Sequence, residues 1–211
     1  MSAISHHMPD AILAAYAAGN LPHVYAVVVA SHVSLCAHCR ATLEAHQAVG
    51  GVVLEGSDSV AVTASLKSDI LAQLDAPFTP APVYERSGIY PGPVMQALQG
   101  REPNWKALGM GVRQDILSED GTGSVRLLFI PPGQAVPDHG HNGMEMTLVL
   151  QGSFSDETGR FGVGDVELAD ENLEHMPVAD AGDPCICLAA TDARLRFRSL
   201  MPRLLQPLFR I

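Results

Sequence analysis

Residues 133–152 read GQAVPDHGHNGMEMTLVLQG. Two histidines two positions apart, a glutamate four residues on, and a glycine at each end constrain the fold more than any other stretch. In an extended strand, residues i and i+2 face the same side. His139 and His141 therefore share a face if the segment is a strand. Asn142-Gly143 supplies a short turn, and Glu145 then returns on the adjacent strand. Two imidazoles and a carboxylate converge on one ion. The surroundings agree with a β fold. Residues 105–113, 124–131, 144–150, 165–169, 184–190 and 194–200 are short, often alternating apolar runs separated by Gly, Pro and Asp. Many short strands at regular spacing predict an all-β barrel or sandwich.

The N-terminal part follows another period. Residues 8–19 predict a short helix, with Pro9 and Asp10 in its first turn, a stripe of Ile12, Leu13 and Tyr16, and Gly19 as terminator. Residues 22–35 predict a second helix, because the run is long for a strand and opens on proline. Residues 36–48 predict a third, stopped by Gly50-Gly51, and residues 58–74 a fourth with an Asp58 N-cap. Pro77, Pro80, Pro82, Pro91 and Pro93 crowd one stretch, which reads as a linker. The expected organisation is a helical domain over 1–85, a Pro-rich linker and lead-in over 86–104, and a β domain over 105–211.

The helical part carries its own constellation. SHVSLCAHC, residues 31–39, holds His32, Cys36 and Cys39. Positions i and i+4 of a helix share a face, so His32 and Cys36 can meet one atom. Cys-x2-Cys suits two thiolates on one tetrahedral ion, and sulfur with nitrogen selects zinc over magnesium or calcium. A fourth ligand is needed. Spacing leaves His6, His7, His23, His38 and His46 as candidates, with His38 pointing away from the ion its neighbours share. The competing reading is a thioredoxin-type redox pair, but that motif opens a helix that follows a strand. Here it follows a helix. A domain of this size has a limited core, so a structural zinc can supply folding energy.

Charge narrows the partners. The chain has 211 residues and a net charge of −10. Residues 1–85 hold two basic residues, Arg40 and Lys67, against seven acidic ones. Nucleic-acid binding needs a basic footprint, which that part lacks. Its acidity suits solubility or a basic protein partner. No run is long enough for a spanning helix, and the N-terminus does not read as a secretory signal, so a cytoplasmic protein is expected. Four cysteines in two close pairs, Cys36/Cys39 and Cys185/Cys187, argue for metal or redox use over a disulfide framework. Cys185 and Cys187 read as small hydrophobes in a packed β core. Arg194, Arg196 and Arg198 alternate with Leu195 and Phe197, as on a strand's solvent face.

The pattern Gly133-x5-His139-x-His141-x3-Glu145-x6-Gly152 fits the first cupin motif at every position. The second cupin motif is partly kept. Gly164 and His175 stand at the right spacing, while Asp170 replaces its proline, Asn172 its second glycine and Ala179 its asparagine. Asn172 can take the left-handed conformation that the turn would need. His175 completes a set of three histidines and one glutamate, which can hold zinc, iron, manganese or nickel.

With HHMPDAILAAYAAG, VVVASHVSLCAHC, LGMGVRQDIL, GQAVPDHGH, RFGVGD, CICLAATDA and LLQPLFRI, the whole chain resembles the ChrR family of zinc-dependent anti-sigma factors. The resemblance implies a zinc-binding helical bundle of about four helices followed by a cupin β-barrel or sandwich. It places the N-terminal zinc on His7, His32, Cys36 and Cys39, and zinc or another divalent metal in the cupin on His139, His141, Glu145 and His175. It implies that residues 1–85 bind an extracytoplasmic-function, sigma-E-like sigma factor one to one and hold it from RNA polymerase. It further implies release in response to singlet oxygen or related oxidants, with no catalysis and no direct contact with nucleic acid or membrane. The alternatives are a metal-dependent cupin enzyme, a dioxygenase or isomerase, and a small-molecule sensor using the cupin pocket. An acidic helical module on a Pro-rich linker argues against the enzyme.

Overall fold

The structure is a computed structural model that describes residues 4–74, 77, 80–136, 139–140, 143–193 and 196–197. Five helices are followed by an antiparallel β-sandwich.

Helix α1 spans Asp10–Ala17. Asp10 in its first turn complements the positive end of the helix dipole. Asn20 N–H reaches the Ala15 carbonyl and Gly19 N–H the Tyr16 carbonyl, with Gly19 at φ 71°. This paired closure is the one in which a left-handed glycine ends a helix. Helix α2, His23–Leu35, is rich in valine, which has modest helix propensity. Packing holds it instead: Val24, Tyr25, Val28 and Val29 are fully buried. Each contributes about 1.5–3 kcal/mol by leaving water.

Helix α3 spans Ala37–Glu55. It runs through Gly50-Gly51, correcting the expected stop. A glycine costs a helix only about 1 kcal/mol relative to alanine, which a 19-residue helix absorbs. Helix α4 is shorter than expected, Leu66–Gln73, and does not start at Asp58. The β-branched Val60, Val62 and Thr63 disfavour a helical start there. Helix α5, Gly92–Ala97, lies in the stretch whose composition reads as linker and lead-in. It buries Val94, Met95 and Leu98 and packs on α2. Farther on, Arg101 and the Asn104 N–H both bond the Asp115 carboxylate, at 2.6 and 2.9 Å.

The strands are β1 Lys106–Gly109, β2 Val112–Asp120, β3 Gly123–Ile130, β4 His139–Gly140, β5 Glu145–Gln151, β6 Ser153–Ser155, β7 Arg160–Gly162, β8 Val166–Ala169, β9 Glu174–His175, β10 Val178–Ala179, β11 Cys185–Thr191 and β12 Arg196–Phe197. Residues 105–113, expected as one run, are two strands. Gly109, Met110 and Gly111 all have positive φ and turn the chain back on itself. The order β1-β2-β3-β11-β5-β8 forms one large sheet, and β10-β6-β7 and β12-β4-β9 form two small ones. The arginine alternation expected over 194–198 falls on side chains outside the described residues.

Strand β11 is central to the large sheet and shows why CICLAA is apolar throughout. Ile186, Leu188 and Ala190 join Val125, Leu127, Met146 and Leu148 in one cluster with the buried residues of α1, α2, α3 and α5. Cys185 and Cys187 face the other way, with Ile130, Val149, Phe154 and Phe161. A strand covered on both faces has no solvent side to make polar. The helical layer therefore shares one apolar core with the sheet, and Tyr25 O–H donates to the Met144 carbonyl at 2.6 Å.

Candidate metal centres

The first centre is built from three segments. The arm before α1 brings His7, the last turn of α2 brings His32, and the α2–α3 junction and first turn of α3 bring Cys36 and Cys39. The helix does not continue through the motif. Cys36 has extended backbone, φ −106° and ψ 107°, yet its N–H still closes on the His32 carbonyl at 2.8 Å. His32 and Cys36 thus stay one turn apart while the chain swings to place Cys39 beside them.

One ligand atom from each of the four residues lies within 4.8 Å of all the others. His7 Nδ1 is 3.3 Å from Cys36 Sγ and 3.7 Å from Cys39 Sγ. Zinc bonds of about 2.0 Å to nitrogen and about 2.3 Å to sulfur give tetrahedral edges of roughly 3.3–3.8 Å. Both His7–sulfur distances fall in this range. His32 is completely buried, and its Nδ1 hydrogen-bonds the Gly164 carbonyl at 2.9 Å. That bond makes Nδ1 the protonated nitrogen. Nε2 is left a buried acceptor with no partner, which is costly unless an ion fills the place. Burial holds the His32 pKa below its ordinary value, which keeps the ring neutral and able to ligate. Burial pushes the Cys39 thiol up to about 11, so an ion must displace its proton.

The remaining candidate histidines lie elsewhere. His6 is 3.5 Å from the Asp165 carboxylate, and His46 is 2.9 Å from Asp10. His38 lies against His7 with centroids 4.6 Å apart and rings tilted by 50°, and His23 opens α2.

The second expected set falls in the sandwich. Glu145 starts β5 and His175 sits in β9, where it pairs in register with His139 of β4. The side chain of His139, and His141 entirely, lie outside the described residues. His175 Nδ1 lies 2.7 Å from Asp156 and 3.2 Å from Glu167. Burial opposes charging of His175, but Glu167 and Asp156 outweigh it and push its pKa up to about 9. Burial pushes Glu167 up to about 7. Carboxylates on one ring nitrogen orient a metal-ligating imidazole through its other nitrogen. Sequence reasoning missed Asp156 and Glu167, because neither belongs to the spaced motif; only the period-2 placement of Glu167 on an inward face could have suggested it.

Two features of the second cupin motif can be read directly. Gly164 has φ 91°, as its turn requires. Asn172 does not use the left-handed conformation open to it. Its N–H bonds the Asp170 carboxylate at 2.8 Å, and this local side-chain bond makes the turn instead. Cys185 and Cys187 lie with sulfurs 3.5 Å apart, both buried, and hydrogen bonding between them and burial push Cys187 well above the ordinary thiol value.

A His/Cys cluster of four residues, three of them buried, that could hold one ion lies in a helical layer docked on a cupin-type sandwich, and this defines a two-part class. The comparisons give the family. Residues 95–193 match the ChrR cupin-like domain. The chain is 53% identical over 211 residues to the anti-sigma-E factor ChrR of Cereibacter sphaeroides, covering 99% of each chain. It is 51% identical, with a TM-score of 0.80, to the anti-sigma ChrR solved in complex with Rhodobacter sphaeroides SigE, over 90% of this chain and 99% of that one. The chain belongs to the ChrR family of anti-sigma factors.

Proposed function

We propose that this chain binds an extracytoplasmic-function sigma factor one to one and withholds it from RNA polymerase. The observation that carries this reading is a set of large apolar side chains left exposed among the described residues. Val49, Val52, Val53 and Leu54 on the second half of α3 are exposed, as are Val60, Val62, Ile70, Leu71 and Leu74 around α4. No residue of α4 is buried. Large apolar side chains left exposed in such number suit a protein interface. The family relative was solved with a sigma factor, which supports the choice of occupant. The role is regulatory rather than enzymatic. No single helix among the described residues is long and apolar enough to cross a membrane, and a partner of RNA polymerase works in the cytoplasm.

In this reading zinc is held by His7, His32, Cys36 and Cys39, and ties the arm, α2 and α3 together. Zinc or another divalent metal is held by His139, His141, Glu145 and His175. Residues 1–85 form the inhibitory module. Co-expression of the 1–85 fragment with sigma factors from neighbouring genes tests this, and a stable complex containing one zinc is expected. The fragment lacks α5 and the sheet that cover α2, so it should melt below the full chain. A fragment that folds with zinc yet captures no sigma factor would place binding elsewhere.

The sandwich serves release. Singlet oxygen or a related oxidant shifts the chain from its inhibiting to its released state, and only a differential effect on those states can do so. His141→Ala or Glu145→Ala should keep the sigma factor inhibited in the dark and blunt its release under a photosensitiser. Transcription from a sigma-dependent promoter is the readout. Induction equal to wild type would move sensing away from the cupin site, and a high dark signal would make the sandwich part of inhibition.

A further inference from the structure

We propose that Asp165 is a positioning residue for the first metal centre, fixing the arm that delivers His7 so that the sandwich governs how firmly the centre keeps its ion. The inference rests on reading that centre as a metal site.

Cys36 and Cys39 come from one continuous segment, and α2 and α3 place them. His7 does not. It is the exposed member of the set and stands on an arm that becomes helical only at Asp10. On its C-terminal side Met8 is buried in the shared core, and on its N-terminal side the sandwich holds it. Ser5 N–H and His6 N–H both donate to Asp165 Oδ1, at 2.7 and 2.8 Å. Val166 N–H donates to the His6 carbonyl at 3.2 Å. The Ile4 side chain seats on Gly164, where an added Cβ would come within 2.6 Å of Ile4 Cδ1. The arm is pinned on the residues just before the ligand, from outside the helical layer.

Asp165 is suited to this task. It is 5% exposed, and its second oxygen accepts the Gly162 N–H at 2.8 Å, which aims the carboxylate from its own turn. Burial alone would raise its pKa, but the N–H groups of His6, Gly162 and Ser5 outweigh that and hold it below the ordinary value. Only a group that accepts at both oxygens serves both sides. An asparagine would turn an NH2 towards one set of N–H donors. The adjacent Gly164 carbonyl takes the His32 Nδ1 proton. Gly164, Asp165 and Val166 therefore set both imidazoles of the centre, while the helices set both thiolates. Outer-sphere partners of this kind typically affect metal affinity by about 10–100-fold.

The test uses the full chain loaded with zinc. Metal analysis of the wild type and Asp165→Asn comes first, then the rate of zinc transfer to a colorimetric chelator. Because a second zinc can sit in the sandwich, the fast phase is assigned by its loss in Cys36→Ala. Asp165→Asn is expected to release the first-centre zinc roughly 10–100-fold faster. Ile4→Ala, which trims the contact of the arm with Gly164, should act in the same direction to a smaller degree. In a His7→Ala background, Asp165→Asn should add nothing, since it acts through that ligand. An additive effect there is the signature of general destabilisation and overturns the proposal. So does a release rate within about twofold of wild type in both variants. A wild type that binds no ion in this centre overturns the site reading, and the clamp with it.

Discussion

Cys39→Ala is expected to empty the first metal centre, loosen the helical layer and reduce sigma-factor binding by at least about 100-fold. Cys39 is both a ligand and a core residue, 1% exposed beside Leu43 and Met8. Its loss leaves His7, His32 and Cys36, of which His32 brings a buried nitrogen with no other partner. Structural zinc contributes roughly 10–16 kcal/mol in isolated zinc-finger peptides. A domain is stable by only about 5–15 kcal/mol, so even a fraction of that loss is decisive. Circular dichroism, zinc content and sigma binding separate the causes. Falling helicity with lost zinc is the expected pattern. Full helicity and full zinc with lost binding would put Cys39 at the interface instead of in the metal centre.

The double variant Ile70→Asp, Leu71→Asp should abolish binding for the opposite reason, leaving the fold unharmed. Both residues are 52% exposed on α4, none of whose residues is buried. Melting temperature and zinc content should stay at wild-type values. Interface anchors cost 2 kcal/mol or more each on truncation, so roughly a 100-fold or greater loss of affinity is expected when two become charged. Unchanged affinity would show that α4 is not part of the docking surface. A lower melting temperature would show that α4 packs on the chain itself.

The first cluster was legible in sequence only in part. His32, Cys36 and Cys39 follow from local spacing, since one helical turn and one helix start place them whatever the rest of the chain does. The fourth ligand could not follow that way. His6, His7, His23, His38 and His46 have equal chemistry, and what distinguishes His7 is how the arm is pinned by Asp165, 158 positions away from it. Spacing also concealed the union of the two parts. Prolines between residues 77 and 93 suggest separate modules, yet α5 lies among them and packs on α2, and His32 bonds Gly164 across the boundary. The path of α3 through Gly50-Gly51 and the late start of α4 reflect propensities too weak to dictate helix ends. The strand split at Gly109–Gly111 was a different error, a run of turn residues read as part of a strand.

The most direct test of the account is a calorimetric titration of the sigma factor into the full chain under three conditions: as purified with zinc, after the first-centre zinc is removed, and after zinc is restored. The account predicts one-to-one binding with zinc, loss of at least about 100-fold in affinity without it, and recovery on its return. Equal affinity in protein shown to be free of metal would contradict it, because the surface that meets the sigma factor would then not depend on the ion that His7, His32, Cys36 and Cys39 are arranged to hold.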